Sequence, residues 1–452
     1  MLTSKQTSNW KWPAIPGLHS FQGKLMHSAN WDQTYDFTGK KVAVVGAGSS
    51  GVQIVASLHS KVESLHTWVR RPVWITAGYA QQFAGENGRN FDCEATPNPC
   101  TRRRSKVLPT LQREWDTDFL FLDSEEQKAL LRERPGEYLA YRKMIERELN
   151  HRFGLILKGT PAAEEAKAFS EQDMRAKLGN DERLCSKIIP KDFAVGCRRT
   201  TPGNGYLEAL ASSKTTCFTE NIGSITNKGF TDAAGTEYEV DAIICATGFD
   251  TSWIPRFPVV VNGANLQDTW SQEGVTSYLS VAVPDVPNYF TFCGPYGPLA
   301  HGSFFPIIEK YTDYIIKVIQ KMQVEGIRSL RPRRGPADQF LQHAAAFLQR
   351  TAWTDPCSSW FKGGGDVNGT PTLYPGSRVS FLRLLRDPRF EDFDIEYDES
   401  NMFAFLGNGF SLEEVDRSDA TYYLGSLDQP VNEASLTSIL KGTAASVLRR
   451  ES

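Results

Sequence analysis

At 452 residues, the chain is long enough for two or three domains, each with a sizeable core. A hydrophobic content of 40% and an aromatic content of 11% are typical of a soluble globular protein. The formal net charge of −3, without a long block of like charge, argues against nucleic acid as a partner.

The first predicted elements follow an extended N-terminal arm. Residues 1–38 are broken by Pro and Gly and show neither a helical nor a strand period. The stretch KKVAVVGAGSSGVQIVASL then predicts a buried strand at Lys41–Val45, a Gly-rich turn and a helix, and VESLHTWVRR predicts a second strand. This order predicts an α/β fold with a doubly wound parallel sheet, whose nucleotide-binding domain begins with residues 39–90.

The rest of the chain divides into three further segments. Residues 91–190 carry apolar residues at three- and four-residue steps among many charges, which predicts a helical insertion. Residues 191–250 return to the sheet with DAIICATGF, a strand that ends in a turn at Thr247 and Gly248. Residues 251–452 contain a strand, a Gly/Pro turn and the long amphipathic helix of PIIEKYTDYIIKVIQKM, and we assign them to a second domain.

The cysteines and the N-terminus indicate a cytoplasmic protein. The eight cysteines show no paired spacing, and most lie in apolar stretches, so we expect small buried thiols in a reducing compartment and no bound metal. No stretch approaches the 18 apolar residues of a membrane span, and the first residues lack a signal-peptide pattern.

Three glycines predict a dinucleotide site. Gly46, Gly48 and Gly51 form G-x-G-x-x-G, in which the first permits a tight turn, the second lets the backbone approach a pyrophosphate and the third lets helix and strand pack closely. The helix N-terminus then faces negative charge. A plain Gly-rich turn is the alternative. The predicted cofactor-binding residues are Gly46, Ala47, Gly48, Ser49, Ser50, Gly51, Val52, Gln53, Thr247 and Gly248.

The second strand indicates which dinucleotide is bound. An NAD site needs an acidic residue there for the ribose 2′-hydroxyl, but this strand ends in Arg70 and Arg71. Guanidinium groups suit a 2′-phosphate, so the pair predicts NADPH. Two arginines that are merely solvated at a strand end are the alternative.

The stretch FQGKLMHSANWD, just ahead of the sheet, resembles the fingerprint of the Baeyer–Villiger monooxygenases. It carries F-x-G-x-x-x-H-x-x-x-W-D as Phe21, Gly23, His27, Trp31 and Asp32. In that family the stretch links the FAD domain to the NADPH domain and moves with them. Ordinary flavin-containing monooxygenases usually lack the Trp-Asp ending, which favours the Baeyer–Villiger type. The resemblance implies a functional role for His27, with a structural histidine as the alternative.

The resemblance extends from Pro13 to about Ser411. DAIICATGFD resembles the segment that leads back to the FAD domain, and VGCRRTTPGNGYLEAL resembles the segment holding the active-site arginine, which is Arg199 here. GPYGPLAHGS and CSSWFK resemble the C-terminal half of fungal members near the 4-hydroxyacetophenone monooxygenase type and the sterigmatocystin- and aflatoxin-like pathways. Residues 251–452 would then be the C-terminal part of an FAD-binding and substrate domain.

The resemblance also implies a chemistry. NADPH reduces FAD, the flavin activates O2, and a ketone becomes an ester or lactone, here in polyketide-type secondary metabolism. A fixed guanidinium at Arg199 would stabilise developing negative charge, and because arginine keeps its proton it would not act as a base. Arg199 and His27 are therefore the predicted catalytic residues. A surface ion pair is the alternative for Arg199, and no oligomeric state follows from the sequence.

Family members begin with an FAD-binding G-x-G-x-x-G of their own, whereas this sequence has a single one, at Gly46. We therefore expect that an N-terminal FAD-binding segment of ~100–150 residues is missing from this chain. A fragment or incomplete gene model, a short form with little activity, and a second chain that supplies the missing half are the possible reasons. The competing functions are an FAD-free remnant that binds NADP and an NADP-dependent reductase, although a Tyr-x-x-x-Lys motif is lacking.

Overall fold

A computed structural model describes residues 2–3, 9–76, 125–300, 302–363, 367–424 and 438. The chain divides into two compact units, Met1–Lys321 with Ser329–Glu396 and Met322–Arg328 with Tyr397–Ser452. In the described ranges, no helix is both long enough and apolar enough to cross a membrane. Nor do those ranges bring together His, Cys, Asp and Glu side chains in a group that could hold a metal ion.

Both strands and α-helices occur along the described residues. The strands are β1 (Leu2–Thr3), β2 (Lys24–His27), β3 (Lys41–Val45), β4 (Ser64–Trp68), β5 (Ile75–Thr76), β6 (Thr201–Pro202), β7 (Thr215–Phe218), β8 (Ser224–Ile225), β9 (Gly229–Thr231), β10 (Glu237–Glu239), β11 (Ala242–Cys245), β12 (Val260–Val261), β13 (Ala264–Asn265), β14 (Phe290–Thr291), β15 (Ile327–Pro332) and β16 (Phe393–Tyr397). The α-helices are α1 (Ser49–Leu58), α2 (Glu125–Glu133), α3 (Pro135–His151), α4 (Pro161–Lys177), α5 (Glu182–Ile188), α6 (Tyr206–Ala211), α7 (Leu266–Glu273), α8 (Phe305–Glu325), α9 (Arg334–Leu348), α10 (Arg378–Leu384) and α11 (Leu412–Asp416).

A five-stranded parallel sheet is the centre of the first unit, with the strand order β2-β11-β3-β4-β7. The register places Cys245 at the end of β11 opposite both His27 of β2 and Val45 of β3. Strands β3 and β11 read as unbroken apolar runs because both faces of the sheet are covered. The predicted α/β fold with a doubly wound parallel sheet is confirmed, as are the strands at Lys41–Val45 and in DAIICATGF.

Different elements cover the two faces of the sheet. Val42 and Val44 lie in a core with residues of α1, α4, α5 and α6. Ala43 and Val45 lie in a second core with β8, β9 and the segment that precedes β2. Successive side chains of a strand point to opposite faces, so the single apolar run of β3 contributes to both cores. The four helices α2–α5 confirm the helical prediction from residue 125 onward, and residues 91–124 lie outside the described residues. The domain boundaries stay a prediction.

The expectation that residues 1–38 contain no strand is wrong. Lys24–His27 forms the edge strand β2, which pairs in parallel with β11, and both Met26 and His27 are buried. Four residues are too few to show a strand period, and the partner lies more than two hundred positions later in the chain. Tertiary pairing, which the local sequence cannot reveal, creates this strand.

The expectation of reduced, unpaired cysteines is wrong for one pair. Cys197 and Cys357 form a disulfide across a sequence separation of 160 residues. So distant a pair carries no spacing signal, which is why the sequence did not indicate it. Cys185, Cys245 and Cys293 are free and buried, Cys217 is free and half-buried, and Cys93 and Cys100 lie outside the described residues. A cytoplasmic location stays a prediction.

Candidate functional site

The Gly-rich turn leaves β3 with the geometry that its three glycines predict. Gly46 has a φ of 124°, and a Cβ on it would lie 2.3 Å from the Ala246 carbonyl oxygen. A Cβ on Gly51 would lie 1.8 Å from the Gly46 carbonyl oxygen, so only glycine lets α1 pack here. A Cβ on Gly48 would meet none of the described atoms within 4 Å. The turn is thus packed tightly on the protein side and open where a ligand would approach.

The N-terminus of α1 faces the same open space. Gly48 precedes the helix without a side chain capping it, and both Gly48 and Ser49 are exposed. Ala47 and Ser50 are half-buried, and Gln53 is exposed. The first N–H groups of a helix attract anions.

Val52 is placed differently from the other predicted cofactor-binding residues. Its side chain is 1% exposed and belongs to the core. Its backbone N–H donates to the Gly48 carbonyl oxygen, so this N–H group forms part of the helix.

Three arginines lie near the carboxyl end of β4. Arg70 and Arg71 are exposed, and Arg70 Nη1 donates to Asn221 Oδ1 at 3.2 Å. Arg198 is half-buried, and its pKa is lowered by that burial and by the positive charge of Arg71. The structure therefore places a third arginine, Arg198, near the predicted pair of Arg70 and Arg71. The only signal for Arg198 in the sequence is that it directly precedes Arg199.

Arg199 holds a loop that leads into α8. Its Nη1 donates to the Leu299 carbonyl oxygen at 2.6 Å and its Nη2 to the Gly302 carbonyl oxygen at 3.1 Å. Two residues further on, Thr201 Oγ1 lies 2.9 Å from Ser49 Oγ of the Gly-rich turn. The predicted active-site arginine and the predicted dinucleotide turn therefore border one another.

A second guanidinium also holds this loop. Arg378 is buried, and its Nη1 donates to the Ser303 carbonyl oxygen at 2.8 Å. Its Nε donates to Asn150 Oδ1 at 3.1 Å, and its Nη2 forms an ion pair with Glu146, both on α3. The carbonyl groups of residues 299, 302 and 303 are thus fixed by two arginines that are far apart in the chain.

His27 ends β2 beneath a set of aromatic rings. It is 0% exposed and stacks on Trp10, with ring centroids 4.4 Å apart and an interplanar angle of 12°. Nδ1 accepts the Ala29 N–H at 3.1 Å, which assigns the proton to Nε2, and Nε2 lies 3.4 Å from Thr247 Oγ1. Burial lowers the pKa of His27 and favours the neutral ring. His27 therefore ties the fingerprint segment to the turn after β11.

The other fingerprint positions have local structural roles. A Cβ on Gly23 would lie 2.6 Å from the Asp241 carbonyl oxygen, so the glycine lets β2 approach β11. Asp32 pairs with Lys24 and accepts the Thr34 N–H at 2.9 Å, and these hydrogen bonds hold its pKa well below the usual range. Trp31 packs on Phe37. The fingerprint thus spans the edge strand β2 and the bend that follows it.

The predicted residues gather at the carboxyl ends of the parallel strands. His27 is the last residue of β2, Gly46 and Thr247 follow β3 and β11, and Gly248 is exposed with a φ of 90°. The strand order reverses between β3 and β11, which is where doubly wound sheets bind ligands. The arrangement can bind a phosphorylated ligand and fix a positive charge, at Arg199, beside it.

Comparison with known proteins gives a consistent result. A family described as flavin-binding monooxygenase-like matches residues 5–90. The FAD-binding monooxygenase tazF of Aspergillus terreus is 35% identical over 421 residues, which cover 92% of this chain and 69% of that protein. A Baeyer–Villiger monooxygenase of Pseudomonas aeruginosa is 30% identical over 381 residues, which cover 83% of this chain and 63% of that protein. The chain thus spans about two thirds of the length of these relatives.

A solved structure shares the fold. Cyclohexanone monooxygenase from Rhodococcus sp. Phi1, bound to NADP+, superposes with a TM-score of 0.64 at 23% identity, covering 87% of this chain and 73% of that one. The cofactors named for these proteins, FAD and NADP, are the two that the sequence predicts. The predicted family is confirmed: the chain belongs to the flavin-binding monooxygenases.

Proposed function

We propose that this chain is an FAD- and NADPH-dependent monooxygenase that inserts one oxygen atom of O2 into a ketone, giving an ester or lactone in polyketide-type secondary metabolism. One observation carries the proposal above the others. The Gly-rich turn is open at Gly48, and the segment with Arg199 is hydrogen-bonded to that turn through Thr201 and Ser49. A nucleotide and a fixed positive charge can therefore meet in one place.

NADPH fits the residues that are present. Its pyrophosphate would take the N–H groups at the start of α1 and the space in front of Gly48. Its 2′-phosphate would take Arg71 and Arg198, because burial and the positive charge of Arg71 both disfavour the charged Arg198, and a dianion between the two arginines removes that repulsion. Arg70, already bonded to Asn221, would have a smaller share in binding.

FAD supplies the redox chemistry when it is bound, by taking electrons from NADPH and activating O2. The sequence contains one G-x-G-x-x-G, which fits NADPH, and the described residues offer no second turn of this kind between a strand and a helix. The described residues therefore carry no reaction step through FAD.

Arg199 is the proposed catalytic residue. Two carbonyl oxygens fix its guanidinium, and arginine keeps its proton at any working pH. A positive charge of this kind stabilises negative charge that develops on a substrate oxygen. His27 is buried and neutral, so we assign it the role of a positioning residue, acting through Thr247 rather than on a substrate.

The test begins with the visible spectrum of the protein after incubation with excess FAD and desalting. Retained flavin bands that NADPH bleaches, followed by a ketone product that has gained one oxygen atom, are the expected result. A variant with Arg71 and Arg198 both changed to Ala should keep the flavin and bleach more slowly, whereas Arg70→Ala is the matched control.

A colourless protein that still binds NADPH would contradict the oxygenase and support the competing function, an NADP-binding remnant without flavin. The single dinucleotide turn is the observation that favours this second candidate. Oxidation of NADPH with a carbonyl substrate in the absence of flavin would instead support a simple reductase.

A further inference from the structure

The disulfide lies beside the residues that the proposed function uses. Cys197 directly precedes Arg198, and Cys357 directly precedes Ser358. Both sulfur-bearing residues are buried, at 0% and 3% exposure. We call residues 194–199 the arginine segment and residues 355–358 the anchor segment. The disulfide joins these two segments covalently.

Hydrogen bonds also join the arginine segment to the anchor segment, on both sides of the disulfide. Asp355 Oδ2 accepts the Ala194 N–H at 2.9 Å, and Arg198 Nε donates to the Ser358 carbonyl oxygen at 2.5 Å. The contacts therefore start before Cys197 and end after it. The arginine segment is therefore bonded to the anchor segment at Ala194, Cys197 and Arg198.

The anchor segment is itself held firmly. Lys158 Nζ lies 2.9 Å from Asp355 Oδ1. The buried Lys362 donates to the carbonyl oxygens of Asp355, Cys357 and Val367, at 2.5, 3.2 and 2.7 Å. The arginine segment is therefore bonded to a part of the protein that is itself fixed by several contacts.

Arg198 needs such a support because of where it lies. Its guanidinium is half-buried and is disfavoured there by Arg71. Without an attachment, the side chain would swing into solvent, away from the like charge and the burial that both oppose it. Its bond to Ser358, next to the disulfide, is the contact that keeps it in place.

We infer that the Cys197–Cys357 disulfide is a positioning element of the nucleotide site: it holds Arg198 beside Arg71 and thereby sets the preference for nucleotides with a 2′-phosphate. The inference rests on the proposed function, because it assumes that NADPH binds at this crevice. It assigns the disulfide a role in selectivity in addition to any role in stability.

The test is the ratio of the dissociation constants for NADH and NADPH, measured by the fluorescence of the reduced nicotinamide. In the double variant Cys197→Ser/Cys357→Ser, the preference for NADPH should fall about tenfold, because a charge-assisted contact is lost, while the affinity for NADH stays the same. Cys185→Ser is the matched control, since Cys185 is equally buried and free. If the disulfide had only a structural role, its loss would weaken the binding of NADH and of NADPH by the same factor.

A mutant cycle shows whether the effect passes through Arg198. Arg198→Ala alone should reproduce the loss of preference, and the triple variant should lose nothing more. Additive losses, or an unchanged preference in the double serine variant, would overturn the inference. If the unchanged protein does not prefer NADPH at all, the proposed nucleotide site fails instead, so the two failures are distinguishable.

Two further measurements test the inference if the double serine variant does not fold. A non-reducing tryptic map of the native protein should contain the fragments 192–198 and 351–362 as one linked species. Asp355→Ala keeps the disulfide and removes one of the flanking hydrogen bonds, so the preference should fall only about threefold. The role of the disulfide would be refuted if the fragments are not linked in a protein that prefers NADPH. It would also be refuted if Asp355→Ala loses as much of the preference for NADPH as Arg198→Ala does.

Discussion

The Gly-rich turn and the arginine segment border the same crevice, but they are held in place differently. The turn is fixed by backbone atoms within a few residues and by the carbonyl group of Ala246, the residue that follows the neighbouring strand β11. The arginine segment has little regular structure, and side chains and a disulfide from about 160 positions away fix it. Changes in the turn should therefore act on the fold, whereas changes at Arg198 and Arg199 of the arginine segment should act on selectivity and chemistry.

The largest expected effect is at Gly51. Gly51→Val would place side-chain atoms against the Gly46 carbonyl group, which must move, so the free energy of unfolding should fall by at least ~2 kcal/mol and NADPH binding should be lost. Gly48→Ala is the matched control, since its Cβ would enter open space. Thermal unfolding should be nearly unchanged in Gly48→Ala while NADPH binds more weakly. Equal stability of the two variants would contradict the packing described for the turn.

Arg199 should affect the reaction more than the fold. Arg199→Ala should lower kcat for ketone oxygenation by about 10²- to 10³-fold, because a fixed donor to a developing negative charge is removed. Arg199→Lys keeps a charge but cannot bond to the Leu299 and Gly302 carbonyl groups in the same way, so it should recover only part of the activity. Steady-state kinetics with the flavin-loaded protein measure both. A variant with normal kcat would exclude Arg199 as the catalytic residue.

A smaller effect is expected where Trp10 stacks on His27. The stack should contribute about 1 kcal/mol beyond simple burial, so Trp10→Ala and His27→Ala should show a coupling free energy of that size in a double-mutant cycle. Urea unfolding of the four proteins gives the value. Simple additivity would mean that the two rings do not stabilise one another.

The smallest effect is the pH dependence that His27 brings. Its pKa is lower in the folded protein than in the unfolded chain, so the two states bind protons equally above the unfolded pKa, about 6.5. As the pH falls below that value the unfolded chain takes up the proton first, and stability is lost. His27→Phe keeps an aromatic ring in the stack and should lose less stability than the unchanged protein between pH 7 and pH 5. Parallel curves would show that His27 does not titrate differently on folding.

The elements that could be predicted are those with local causes. Some twenty residues or fewer are enough to predict each of the apolar strands β3 and β11, the turn with its three glycines and the amphipathic helix α8. Edge strand β2 could not be predicted, because its pairing with Ile244 and its neighbours creates it. Within the site, Arg198, the Cys197–Cys357 disulfide and the Arg378 contact with the loop before α8 were missed for the same reason: each depends on which distant segments meet.

The disulfide also determines the shape of the denatured protein. As long as it is intact, the unfolded chain is a lariat, with residues 197–357 closed into a ring and two free tails. On the chain-entropy account, closing a ring of this size lowers the conformational entropy of the unfolded chain and so stabilises the folded protein by about 5 kcal/mol. The oxidised chain should therefore run ahead of the reduced chain in a denaturing gel. It should also refold from a more compact starting ensemble, in which the arginine and anchor segments never drift far apart.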